Sequence, residues 1–296
     1  MKGVLLVLAA TLAWSCGGPL MRAIENATAW QILFWRSGAM FAVIALHGLL
    51  VLRVDLRAAW RGFGGLGWLS AALVAASFTL SIVAFEHTTI ANTLFMVAVS
   101  PLVAAVLGGI ILKESVRRAT WFALAIATCG LAVMLWEGFG AGSPIGNLAA
   151  MASAASFALF NVTYRRAEQI GRKLDMSLVL CAGALIGVVV SGTIVLAKGW
   201  DLVLSPPDMA YSLAFGIFQV GLGFILFTAG ARYLTAAEAT LLQLGEVLLS
   251  PTWTWLIFRE EPSELGMIGG AILLSAMILQ AASGMRRRRQ PPGLVA

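Results

Sequence analysis

An acidic residue in the middle of an apolar run is the strongest chemical signal in this sequence. Glu246 lies eight residues into the run at 239–258. A carboxylate at the centre of a bilayer costs about 2.5 to 3.5 kcal/mol on insertion scales, so it is expected to face a cavity or a partner. There it could bind the amine of a substrate or carry a coupling proton; the alternative is a protonated or ion-paired structural residue. We interpret Glu246 as a substrate-binding residue.

Further polar and aromatic side chains lie inside or at the ends of apolar runs and could line the same site. Each amide could bind a solute, or could equally form a hydrogen bond between helices. The aromatic rings could contact an apolar solute, although packing is their commoner role. His87 can change charge near neutral pH, but a solvated helix end explains it as well. The predicted substrate-binding residues are Trp14, His87, Asn92, Phe95, Ser100, Phe157, Phe160, Asn161, Gln219, Gln243 and Glu246.

Three prolines lie inside apolar runs and are predicted hinges. Pro19, Pro101 and Pro251 each remove a backbone hydrogen bond from a helix. A membrane tolerates such kinks where the freed groups find new partners, so all three are expected to face protein or a cavity. Arg36 also lies inside a run. We expect it to extend to the outer head groups or to pair with an acid, a structural role in either case.

The composition around these residues is that of an integral membrane protein. The chain is 60% hydrophobic and 11% charged, against roughly 25% charged residues in soluble domains. Ten apolar runs are long enough, or nearly so, to cross ~30 Å of hydrocarbon, and their apolar continuity favours helices over strands. The predicted spans are 3–21, 29–52, 64–85, 90–112, 119–137, 147–164, 176–197, 209–231, 239–258 and 265–283.

Positively charged residues predict the orientation of these spans. With the N-terminus in the cytoplasm, sixteen Lys and Arg residues lie inside, and Arg22, Lys198 and Arg259 lie outside. Cytoplasmic loops are enriched in Lys and Arg, so both termini are predicted to be cytoplasmic in the bacterial inner membrane. The first run lacks a clear cleavage site and is predicted to be a retained span. The basic segment 286–289 favours anionic lipid head groups over nucleic acid.

The chain contains an internal repeat. Shifting segment 87–114 by 146 residues, close to half of the chain, lays five identical residues over segment 233–260. Each half then has five spans, an odd number, so two like halves in series must cross the membrane in opposite senses. The fold class predicted is an all-α polytopic membrane protein with ten transmembrane helices in two inverted five-helix repeats around a central cavity. Its units are 1–138, a Gly-rich linker at 139–146, 147–285, and a basic cytoplasmic tail at 286–296.

Several short motifs resemble those of the drug/metabolite transporter superfamily, in its EamA-type ten-span branch. They are Trp14 followed by Arg22, the segment SFALFNVTYRRA at 156–167, the threonine turns at 88–91 and 234–237, Ser100-Pro101 with Glu114, and Glu246 with Glu260. This family often has Glu-Pro in the ninth span, whereas Val247 takes the proline position here and Pro251 follows one turn later. The resemblance implies a cavity between the halves and outward movement of small metabolites, above all amino acids.

Other classes of protein explain less of the sequence. A membrane-embedded enzyme would need a nucleophile–base pair or a metal motif such as H-E-x-x-H, and the three cysteines indicate neither disulfides nor a metal site. No cofactor is predicted, and the lack of a G-x-x-x-x-G-K-[ST] loop argues against direct drive by ATP. A scaffold or receptor leaves Glu246 and the duplication unexplained. A channel, or a carrier of drugs or other metabolites, stays open.

The predicted partners are a small-molecule substrate, with amino acids favoured, and membrane lipid, but not nucleic acid. The coupling ion and the oligomeric state stay open, with a monomer as the expectation.

Overall fold

The computed structural model describes residues 2–88, 93, 96, 100–113, 118–134, 136, 143–172, 174–233, 242–243, 245–259 and 264–288. The regular structure in these residues is helical. The helices are α1 (Lys2–Ser15), α2 (Gly17–Ala23), α3 (Ala29–Leu50), α4 (Leu56–His87), α5 (Ser100–Ile111), α6 (Arg118–Met134), α7 (Pro144–Gln169), α8 (Met176–Ala197), α9 (Pro206–Ala214), a π-helical segment (Phe215–Leu222), α10 (Gly223–Ala231), α11 (Gly245–Phe258) and α12 (Glu264–Arg288).

Six helical stretches in the described residues are long and apolar enough to cross a membrane, and each overlaps a predicted span. They are Lys2–Ala23, Ala29–Leu50, Ala59–His87, Pro144–Gln169, Met176–Ala197 and Pro206–Ala231. Three shorter apolar helices, Leu102–Ile111, Trp121–Val133 and Glu264–Ala276, overlap three further predicted spans. The one predicted span not yet mentioned, the ninth at 239–258, contains α11. The chain is therefore a multi-pass membrane protein.

Side-chain caps fix where two of the long helices begin. The side chain of Thr28 accepts from the Gln31 backbone N–H, and the Gln31 side chain accepts from the Thr28 backbone, which is a capping box at the start of α3. Ser143 caps α7, so that this helix begins three residues before the predicted span 147–164. The first half of the predicted linker, 139–142, lies outside the described residues. The Ser143 backbone N–H also donates to the carbonyl of His87 at 2.9 Å.

Three of the long spans are interrupted. In α4, Gly64 has a non-helical backbone, with φ 45° and ψ −162°, which kinks the helix. In the span formed by α1 and α2, α1 ends at Ser15 and α2 begins at Gly17, so the break falls in the turn before Pro19, where a proline removes a backbone donor. In the span formed by α9 and α10, the eight residues Phe215–Leu222 are π-helical. Most π-helices are single-turn bulges and are frequent at functional sites, which makes this segment unusual in length.

The helices pack by the same scheme in both halves of the chain. We match α1, α3, α4, α5 and α6 in order with α7, α8, the α9–α10 helix, α11 and α12. With this match, three packings each have a counterpart. The packing of α4 on α7 corresponds to that of α10 on α1, and the packing of α4 on α8 corresponds to that of the π-helical segment on α3. The packing of α5 on α7 corresponds to that of α11 on α1. The remaining large contacts, α3 with α8 and α6 with α12, join matched helices. The packing thus repeats when the two halves are exchanged.

One end of the bundle is tied by hydrogen bonds between connecting segments. The buried carboxylate of Asp208 accepts from the backbone N–H groups of Glu25 and Asn26 at 3.1 and 3.2 Å. The indole of Trp35 donates to the carbonyl of Leu202 at 2.8 Å. The Asp208 bonds hold the start of α9 against the loop before α3, and the Trp35 bond holds α3 against the loop that follows α8.

Candidate functional site

The break between α1 and α2 lies against the π-helical segment. The last carbonyls of a helix have no partner within it, and Gln219 Nε2 donates to one of them, the Trp14 carbonyl, at 3.3 Å. Gln219 Oε1 is buried and has no hydrogen-bond partner in the part of the chain that the structure describes. The amide therefore holds the break in place and presents a free acceptor beside it.

Trp14 forms an aromatic wall with α10 and α4. Its ring centroid lies 5.6 Å from that of Phe224 and 5.2 Å from that of Phe227. Gly223 permits this approach, because a Cβ there would overlap Nε1 of Trp14. Phe224 in turn contacts Phe78, with ring centroids 6.3 Å apart. We call Trp14, Phe78, Phe224 and Phe227 the aromatic wall.

Arg36 lies beside the aromatic wall with its guanidinium between two rings. Its Cζ is 5.1 Å from the ring centroid of Phe78 and 5.2 Å from that of Phe215. The residue is 8% exposed, and its Nη2 has no hydrogen-bond partner among the described residues. Arg36 therefore neither extends to head groups nor pairs with an acid in that part of the chain, in contrast to the prediction. Cation–π contacts contribute about 0.5 to 2 kcal/mol, whereas burial costs several kcal/mol per ion, so the rings alone do not offset it.

Glu246 lies on the face of α11 that packs against the same break. Ser250, one turn further on, has its Oγ where a Cβ on Gly18 would lie. The indole of Trp253 donates to Ser15 Oγ at 2.8 Å. Residues four apart share a helix face, so Glu246 lies one turn from the Ser250 contact. It is half-buried, and its carboxylate has no hydrogen bond or ion pair with any described residue.

The predicted aromatic and amide residues of α7 contact the hydrophobic core and their own helix. Phe160 is 1% exposed and belongs to the main hydrophobic core. Phe157 is half-buried, with its ring 5.9 Å from that of Phe160. Asn161 donates Nδ2 to the carbonyl of Phe157 at 3.0 Å, a bond within its own helix. His87 is exposed at the end of α4, with Nδ1 2.9 Å from the carbonyl oxygen of Val83, which fits a solvated helix end.

Two of the remaining predicted binding residues are described: Ser100 is the first residue of α5 and Gln243 precedes α11, and both are half-buried. Asn92 and Phe95 lie outside the described residues.

The predicted hinges fall at three different kinds of position. Pro19 is buried in α2, directly after the break. Pro101 is the second residue of α5. The helix α11 continues through Pro251 from Gly245 to Phe258. Of these three, only Pro19 adjoins a described interruption of a helix.

A narrow cleft leads to the aromatic wall from the end of the bundle opposite the tied one. His47, Ser177, Thr228 and Phe224 are among its lining residues, and its cavity volume is about 20 Å³. Ligand pockets usually hold roughly 300 to 1,000 Å³, so in this conformation the cleft is too narrow to hold a solute. Phe224 belongs to both the cleft and the aromatic wall, so the cleft ends where the wall begins.

Sequence reasoning did not identify the rings that surround Arg36 and Trp14. One signal was available: Phe78 and Phe224 are 146 residues apart, the offset of the internal repeat. No comparable signal marks Phe215, because its place beside Arg36 depends on the packing of the π-helical segment on α3.

In a comparison with known proteins, one family model matches both halves of the chain. The model of the EamA-like transporter family matches residues 1–136 and again residues 144–281. An uncharacterized transporter of Vibrio cholerae is 24% identical over 297 residues, which cover 96% of this chain and 93% of that protein. The protein RarD of Escherichia coli is 30% identical over 170 residues, 56% of this chain and 55% of that protein. A solved crystal structure, 20% identical, has a TM-score of 0.74 and covers 97% of this chain and 99% of its own, so the fold is shared.

Proposed function

The chain belongs to the EamA-like transporter family, and we propose that it is a secondary transporter that exports small metabolites, above all amino acids, across the bacterial inner membrane by alternating access. The observation that carries this proposal is the convergence of Trp14, Gln219 and Glu246 on an interrupted helix, since transporters bind solutes where helices are broken near the bilayer midplane. The motifs also resemble those of the amino-acid exporter YddG.

We infer that the fold consists of ten spans in two inverted five-helix repeats. Three observations support this inference. The family model matches each half separately, the largest helix packings recur when the halves are exchanged, and the contacting residues Phe78 and Phe224 are one repeat offset apart. With five spans in each half, the two halves run in opposite senses through the membrane.

The tied end of the bundle supports the proposed orientation. The bonds made by Asp208, Trp35 and Ser143 all join segments that the charge distribution assigns to the outside. The cleft lined by His47 and Thr228 lies at the other end, which that distribution assigns to the cytoplasm. We infer that the termini are cytoplasmic and that this conformation is closed outside, with only a narrow cleft on the cytoplasmic side.

In this proposal the cleft widens to admit a cytoplasmic solute, which meets the aromatic wall at Phe224. An apolar side chain packs against Trp14, the Gln219 Oε1 acceptor receives an N–H group, and the Glu246 carboxylate binds the substrate amine. Release outside requires the bonds of the tied end to break. We place part of this rearrangement at Cys16, the single turn residue between α1 and α2.

Efflux from reconstituted vesicles tests this function. Vesicles containing the protein are loaded with a panel of amino acids and cationic drugs, and efflux is measured with and without a proton gradient. We expect saturable efflux of amino acids that is accelerated by counter-transport. Flux that stays linear in concentration would indicate a channel, and flux of drugs alone would indicate the alternative efflux carrier.

Glu246→Gln tests the proposed amine site in the same vesicles. Hydrogen bonds to charged groups contribute about 1.5 to 3 kcal/mol, so amino-acid flux should fall by roughly tenfold or more while the variant still folds. The matched control is Glu264→Gln, which removes an exposed carboxylate at the start of α12. Wild-type flux in Glu246→Gln would exclude this residue from the site.

A further inference from the structure

We propose that Arg36 is the anion-binding residue of the transport site and that it binds the carboxylate of the substrate. This inference rests on the proposed function and names the chemical group that the site recognises. It also makes a carboxylate a required feature of the cargo, which a site built around Glu246 alone would not.

The first observation is the unbalanced charge of Arg36. The side chain is more than nine-tenths buried, and Nη2 has no acceptor among the described residues. Charged side chains inside membrane spans usually face a cavity or pair with an opposite charge. In the described part of the chain, Arg36 has aromatic rings in place of that opposite charge.

The second observation is the geometry of the two rings. Cζ of Arg36 lies over the rings of Phe78 and Phe215 at 5.1 and 5.2 Å. These contacts leave the N–H groups of Nη2 without an acceptor. A guanidinium presents parallel N–H groups that match the two oxygens of a carboxylate. It supplies one positive charge, which a monovalent carboxylate neutralises.

The third observation is that Arg36 adjoins the interrupted helix. A Cβ on Gly17 would lie 3.4 Å from Cε2 of Phe215 and 3.1 Å from Nε2 of Gln219. The ring that covers Arg36 therefore contacts the break in α1–α2, next to the amide that holds that break. Because Phe215 is the first residue of the π-helical segment, a change in that segment or at the break would move the ring off the guanidinium. We assign anion binding to that more open state.

Binding in detergent tests the proposal independently of transport. The probes are 3-phenylpropionate, which has a carboxylate and no amine, and its neutral amide, 3-phenylpropionamide. We expect 3-phenylpropionate to raise the apparent Tm of the wild-type protein and the amide to leave it unchanged. Arg36→Gln should abolish the shift, Arg36→Lys should retain part of it, and Arg57→Gln, at an exposed arginine, should leave it at the wild-type value.

Transport then separates this proposal from the proposed function. L-phenylalanine and L-phenylalaninamide differ in the carboxylate alone. We expect wild-type vesicles to favour L-phenylalanine by about tenfold or more in KM, and Arg36→Gln to remove that preference. Equal losses for both probes would indicate a structural role and overturn the assignment. If neither probe is transported but the carboxylate-specific Tm shift persists, amino-acid export fails and the anion site stands.

If Arg36→Gln does not fold, two other measurements can still overturn the proposal. Wild-type protein that responds equally to 3-phenylpropionate and its amide overturns the proposal. So does an Arg36→Lys variant whose Tm shift and KM ratio both equal those of the wild type, because a lysine lacks the planar fork on which the argument depends.

Discussion

The contact between Gly223 and Trp14 predicts that one added methyl group destabilises the protein. An alanine Cβ at position 223 would lie 2.6 Å from Cδ1 and 3.0 Å from Cε2 of the Trp14 indole. Favourable carbon–carbon contacts are about 3.5 to 4.0 Å, so the overlap is on the order of 1 Å. The indole cannot simply withdraw, because it packs against Phe224 and Phe227. Overpacking of this kind costs about 1 to 3 kcal/mol.

Thermal unfolding in detergent measures this cost. At about 2 to 4 °C per kcal/mol for a chain of this order of size, Gly223→Ala should lower the apparent Tm by roughly 2 to 12 °C. The control is Gly65→Ala, where a Cβ would meet no described atom within 4 Å.

A double variant identifies Trp14 as the origin of the cost. Trp14→Phe replaces the indole by a smaller ring, so adding Gly223→Ala to it should cost less than adding Gly223→Ala to the wild type. If Gly223→Ala is as stable as Gly65→Ala, the close packing of α1 on α10 is not what the structure describes, and the aromatic wall loses its support.

Three further predictions concern the ends of the bundle and the break. Ser15→Ala removes the acceptor of the Trp253 indole and should lower the free energy of unfolding by about 1 kcal/mol; combined with Trp253→Phe it should cost less than the sum of the two single changes. Asp208→Asn weakens the acceptor for the backbone N–H groups of Glu25 and Asn26, and should lower the free energy of unfolding by about 1 to 3 kcal/mol in denaturant titrations; an unchanged midpoint would contradict the role of this tie. A green fluorescent protein fused to the C-terminus should fluoresce, and an alkaline phosphatase fused there should be inactive; the reverse pair of results would overturn the orientation.

The long helices were predictable because the membrane leaves few alternatives. A backbone in hydrocarbon must satisfy its hydrogen bonds internally, so an apolar run of sufficient length becomes a helix. The predicted span 176–197 has the same bounds as α8, where Asp175 caps the first turn. The predicted span 147–164 is shorter than α7, because the Ser143 cap and Pro144 begin the helix earlier and polar residues continue it to Gln169.

The candidate site was only partly predictable because its geometry depends on contacts between distant helices. Pro19 signals an interruption, but Gln219 bonding to the Trp14 carbonyl joins residues 205 positions apart. Arg36 in an apolar run predicts a partner or a path to the head groups, and its actual neighbours, Phe78 and Phe215, come from two other spans. A run of ordinary apolar residues gives no indication that it will be π-helical.

The π-helical segment also sets which side chains of its span face the same way. An α-helix advances about 100° per residue, and each π-type turn takes in one residue more than an α-type turn. Deleting a single residue from 215–222 would therefore rotate α10 by about 100° relative to α9. Phe224 would then turn away from Trp14 while Phe215 stayed over Arg36. The number of residues in the segment, more than their chemistry, therefore sets the rotation of α10 relative to α9. That rotation lets α9 pack on α3 while α10 packs on α1.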